Sequence, residues 1–152
     1  PPEIPRDPDK DLLIKIVPLI QERLKLLRDA APLIPFFFSP DFDYEPSALI
    51  QKNMDQYNTR VALSESRNTL SVTKEFRAEF LDATLRPLAG DLGIKVGQLL
   101  GTLRVATSGQ KVSPPLFESM EILGRERVLQ DIDRALHKLE DAPNDNQAGS
   151  PR

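Results

Sequence analysis

A chain of 152 residues with 39% hydrophobic side chains fits one domain of ordinary size, able to withdraw about 68–70% of its unfolded surface from water. It contains no cysteine, needs no disulfide or metal staple, and shows no signal-peptide pattern or apolar run of membrane-spanning length, so the expected compartment is the cytoplasm. A formal net charge of −3 excludes a strongly basic nucleic-acid binder, although the balance between Asp91 and His137 is level and permits a locally basic face.

In chain order, residues 1–8 carry four prolines in PPEIPRDP and read as a linker or the cut end of a longer protein. Leu13, Ile16, Val17, Ile20, Leu24 and Leu27 then recur at helical spacing and predict a core face, kinked or restarted at Pro18. Ala31 to Phe38 reads as one or two helical turns ending in a loop at Ser39-Pro40-Asp41. Carboxylates alternate at Asp41, Asp43 and Glu45. They could be half of a cation site, but such sites need more oxygen ligands and a turn glycine, so a solvated loop is the better reading.

From Ser47 to Leu70 the pattern is helical but less regular. Val72, Phe76, Phe80, Leu81, Thr84, Leu85 and Leu88 predict another helix, opened by Ser71 or Thr73 and stopped between Pro87 and Gly90. The next buries Val96, Leu99, Leu100, Leu103 and Ala106 and ends before Gly109. Ser113 as N-cap with Pro114 at the first helical position starts a short helix to Leu123, broken by Gly124. Val128, Ile132, Ala135, Leu136 and Leu139 mark the last helix, and the polar residues 141–152 are expected to be a disordered tail. No stretch alternates as a strand would. The expected fold is all-α, a compact multi-helix bundle of about six to eight short helices over residues 9–140.

Little here supports chemistry by the chain alone. The single histidine, His137, falls late in the last helix, where a solvent-facing residue is the ordinary reading, and with no cysteine a common zinc site or a Cys–His pair is excluded. Gly90, Gly93, Gly97 and Gly101 lie at helical intervals that suit a hinge and close packing better than a phosphate cradle. The segment from Arg104 to Phe117, however, holds what readers of unstacked RNA bases use: a planar cation, proline faces and a helix N-terminus with free N–H groups. Leu116 and Phe117 are either a contact wall or core.

Five blocks in order, Gly93-Ile94-Lys95-Val96-Gly97, Leu103-Arg104-Val105-Ala106, Gly109, Ser113-Pro114-Pro115-Leu116-Phe117-Glu118 and Leu123-Gly124-Arg125-Glu126, resemble the C-terminal anticodon-binding domain of bacterial-type glutamyl-tRNA synthetases. A further likeness runs back to Pro18-Leu19-Ile20-Gln21-Glu22-Arg23. The resemblance implies that Val96, Arg104, Ser113, Pro114 and Leu116 match positions that touch anticodon bases and that Arg23 reads the last anticodon base; Lys111 and Lys95 are, by their charge, candidate phosphate contacts. It further implies a glutamate tRNA partner, with glutamine tRNA as the second candidate, and a monomer. Thr102 stands where the family often has proline, and Thr107-Ser108-Gly109 replaces the usual Leu-Thr-Gly.

Neither an HIGH-type nor a KMSKS-type motif occurs. The expectation is therefore a recognition module of a glutamate–tRNA ligase, inactive by itself, whose catalytic fold would precede Pro1 and bind the ATP and magnesium that this chain does not. The alternative is a helical protein-interaction module without RNA binding, docking through exposed Leu116 and Phe117.

Overall fold

The computed structural model describes residues 10–24 and 42–142, with side chains from Lys10 to Gln21 and from Phe42 onward. The expectations for residues 1–8, for Leu27 to Asp41, for the tail after Ala142 and for the side chain of Arg23 lie outside the described residues. Those described form six α-helices and no strand: α1 Lys10–Leu24, α2 Gln56–Val72, α3 Ala78–Asp91, α4 Val96–Ser108, α5 Leu116–Leu123 and α6 Arg125–Asp141, with a 3-10 turn at Pro46–Leu49 before α2. The all-α expectation holds.

Local chemistry explains most of the boundaries. Asp55 opens α2 through a reciprocal cap, its carboxylate accepting from Asn58 N–H at 2.8 Å while Asn58 Oδ1 accepts from Asp55 N–H at 2.7 Å. Ser71 and Thr73 do not start α3, as their residue type had suggested. Both close α2 instead, Ser71 Oγ donating to Asn68 O and Thr73 Oγ1 to Thr69 O. The N-cap position of α3 is Arg77, which supplies no side-chain cap; Ala78 N–H donates to Glu121 Oε1 at 2.8 Å, a carboxylate delivered from α5. α3 contains Pro87 and ends at Asp91, one residue beyond the expected stop between Pro87 and Gly90.

α1 is continuous through Pro18, whose ring is exposed; Ile16 and Ile20 are buried, whereas Val17, expected in the core, is 45% exposed. The two longest helices, α2 and α6, make the most extensive helix pair, reinforced by the Arg67–Asp133 ion pair. α4 is the hub, touching α2, α3, α5, α6 and the 3-10 turn. Its Leu99, Leu103, Val105 and Ala106 join Leu63, Leu85, Met120 and Ile132 in one core cluster. Complete burial of each large aliphatic side chain contributes roughly 1.5–3 kcal/mol, so α4 is held on most of its circumference. Its remaining strip carries Gly97, Gly101 and Arg104 at intervals of a helical turn.

Candidate nucleic-acid interface

The region singled out by sequence is α4, the loop 109–115 and the start of α5. Gly109 ends α4 with φ 73°, and its N–H donates to Val105 O at 2.7 Å. A Cβ there would come within 2.8 Å of the Phe42 ring, so glycine is required by both backbone and space. The departures at Thr107 and Ser108 have a structural role: Thr107 Oγ1 donates to Leu103 O at 2.9 Å, and Ser108 Oγ donates to Arg104 O at 2.7 Å and accepts from Gln110 N–H at 3.1 Å. These bonds lock the first residues of the loop onto the last turn of α4.

Ser113 is not the N-cap of α5. Its hydroxyl donates to the carbonyl of the next residue, Pro114, at 2.9 Å, and the helix begins at Leu116 with Pro115 in the cap position. A second proline delays the first helical bond, from Ser119 N–H to Pro115 O at 3.0 Å. Ser113 is 2% exposed, Leu116 4% and Phe117 9%, and Pro114 is buried as well. The side chains of Ser113, Pro114 and Leu116 therefore shape the loop from inside. Both halves of the supposed contact wall, Leu116 and Phe117, are core; the Arg86 guanidinium lies 5.8 Å from the Phe117 ring centre.

Outward, the loop presents Lys111 and Val112, and Arg104 is half-buried on α4. Val96 packs against the core. Lys95 is exposed at the N-cap of α4, where its N–H donates to Gln98 Oε1 at 2.7 Å. The structure thus leaves Lys111 exposed on the loop and Arg104 half-buried on the last turns of α4, sets Lys95 at the far end of α4, and turns Val96 inward.

Behind Gly109 lies a cluster that the sequence did not reveal. The Arg127 and Arg134 guanidinium groups sit 5.9 and 5.6 Å from the Phe42 ring centre, and Phe42 stacks on Tyr44 at 6.1 Å. Fully buried Asp131 accepts from Arg127 Nε at 3.0 Å and lies 3.7 Å from Arg134. Burial pushes the Asp131 carboxyl up to about 6, against the downward pull of Arg127 and Arg134. The alternation at 41–45 also acquires a meaning from Phe42 onward: Phe42 and Tyr44 turn partly inward, while exposed Asp43 pairs with Lys138, which holds its carboxyl below the usual range. Arg125, inside a matched block, fastens α6 to the end of α2 by donating to Leu70 O at 2.7 Å and Thr73 O at 2.5 Å, stacked over Phe76. His137 is exposed and faces Glu140 at 3.8 Å.

Residues 2–136 match the family described as "Anticodon binding domain". A glutamate–tRNA ligase from Dehalococcoides mccartyi is 42% identical over 134 residues, which are 88% of this chain and 28% of that protein. One from Roseiflexus castenholzii is 42% identical over 89% of this chain and 27% of its own length. Among solved structures, a glutamate tRNA ligase from Elizabethkingia meningosepticum, in complex with its amino acid, superposes with a TM-score of 0.71 at 25% identity, covering 88% of this chain and 26% of that one. The chain thus spans a little over a quarter of the length of these relatives.

Proposed function

We propose, from the premise that this chain belongs to the anticodon-binding domain family, that it recognises the anticodon loop of glutamate tRNA for a glutamate–tRNA ligase, with glutamine tRNA as the second candidate partner. The observation that carries the reading is the placement of Arg104 on the outward strip of α4, next to a loop whose backbone is held by Gly109, Ser108 and the buried Ser113-Pro114-Pro115 turn. A half-buried guanidinium loses little freedom on engaging a base, and a rigid loop offers N–H and C=O groups at fixed positions to base edges.

Arg104 takes the base-reading role in this proposal, and Lys111 and Lys95 contact phosphates. Ser113, Pro114 and Leu116 act by fixing the loop, and Val96 by seating the first turn of α4 on the core. Arg23 is proposed as the reader of the last anticodon base on the resemblance alone. ATP and magnesium belong to a catalytic fold elsewhere in the ligase, and this chain works as a monomer.

The test is binding of the full chain to a glutamate-tRNA anticodon stem-loop and to a scrambled-loop control. Arg104→Ala should weaken the cognate loop by about 1–3 kcal/mol, the range of one specific base contact, and leave the control nearly unchanged. Equal loss on both RNAs would remove the base-reading role. Burial of Leu116 and Phe117 takes from a protein-docking module the apolar wall it would need.

A further inference from the structure

We propose that Lys52, Lys95 and Lys111 line a track for the phosphodiester backbone of the bound RNA, running beside Gly97 and Gly101 of α4. The proposal rests on the anticodon-reading assignment and adds to it a residue, Lys52, and a path.

Two adjoining clefts lie beside α4. One, of about 340 Å³, is bordered by Lys52, Asn53, Lys95 and Gly97. The other, of about 280 Å³, is bordered by Lys52, Gly101, Val105 and Lys111. Gln51 and Lys52 border both, so the clefts adjoin along α4 from Gly97 to Val105, about 12 Å at 1.5 Å per residue. No carboxylate borders either cleft, and none of the three lysines is in an ion pair among the described residues. In a chain with more acidic than basic residues, three lysines around clefts that no carboxylate borders are a local departure in charge.

The groove is built, not left over. Gln98 Nε2 donates to Lys52 O at 2.8 Å, and buried Thr102 Oγ1 donates to Leu49 O at 2.8 Å, so two side chains of α4 hold the loop that carries Lys52. That loop turns tightly, Met54 N–H donating to Gln51 O at 3.0 Å, with Asn53 at φ 67°, a conformation disfavoured outside glycine that asparagine tolerates best. Gly101 admits the Gln51 side chain, whose Oε1 would lie 2.5 Å from any Cβ at that position. A mobile lysine on an irregular loop would pay side-chain and backbone entropy on binding; here the backbone is already placed. Point-charge lysines with glycines between them suit phosphates, which need charge and close approach rather than base-edge geometry.

The experiment measures fluorescence anisotropy of the full chain with the cognate and scrambled stem-loops across a salt series, for the wild type, Lys52→Ala and Lys52→Arg. The expected result is a roughly threefold or larger loss for Lys52→Ala on both RNAs, with the salt slope reduced by about 0.7–0.9, and affinity retained by Lys52→Arg. Lys52 is exposed, so unchanged thermal unfolding of the variants reports an intact fold. Unchanged affinity and slope for Lys52→Ala, while Arg104→Ala still loses the cognate loop, would overturn the track and keep the anticodon reading. A loss confined to the cognate loop would make Lys52 a base reader and overturn the phosphate assignment. Failure of the wild type to bind either RNA would overturn both.

Discussion

Asp131 shows how a single residue couples the loop's support to pH. Its carboxyl, held by Arg127 and Arg134, whose guanidinium groups also lie over Phe42, is pushed up to about 6 because burial outweighs the two positive charges. A carboxyl whose folded value is raised binds its proton more tightly when folded. Its contribution is therefore fully present below the unfolded value near 4 and is lost as pH rises through about 6. Asp131→Asn, which cannot ionise, should gain stability relative to the wild type between pH 4 and 6.5, by an amount on the order of 1–3 kcal/mol. Denaturant unfolding of both proteins at several pH values checks this, and a difference that stays flat or falls with pH would contradict the assignment. Position alone did not disclose Asp131. It reads as a charged residue in an amphipathic helix until the fold lays Phe42 against the two arginines that hold it.

At the scale of elements, legibility followed whether an end is closed by its own neighbours. The end of α4 was readable because Gly109 can take the positive φ that an abrupt stop requires. The start of α3 was not, because its cap comes from Glu121, 43 residues later in the chain. The start of α5 was misplaced for a local reason: Ser113 has the right side chain for a cap, but its hydroxyl is taken by Pro114 O and two prolines push the helix onward. Glu121→Ala should cost about 1 kcal/mol, as loss of an N-cap does, with protection of the α3 first-turn amides falling in hydrogen exchange while α6 keeps its own. A uniform loss of protection would assign Glu121 a global role instead. Arg104, Lys95 and Lys111 were legible as candidates from matched blocks and charge. Lys52 was not, because Gln98 and Thr102 reach across 46 and 53 residues to bring its loop to α4.

For the whole molecule, the proposed role as a recognition module sets the expectation for activity. The full chain, given ATP, glutamate and glutamate tRNA, should form no glutamyl-tRNA while still binding the anticodon stem-loop. Measurable acylation by the pure chain would refute that division of labour. No helix among the described residues is long and apolar enough to cross a membrane. α1 has α5 as its main neighbour, and α5 follows directly from the loop beside Arg104. A push or tilt of α1 would therefore be delivered first to the far anchor of that loop. Packing between α1 and α5 thus bears on the loop at its end away from Gly109.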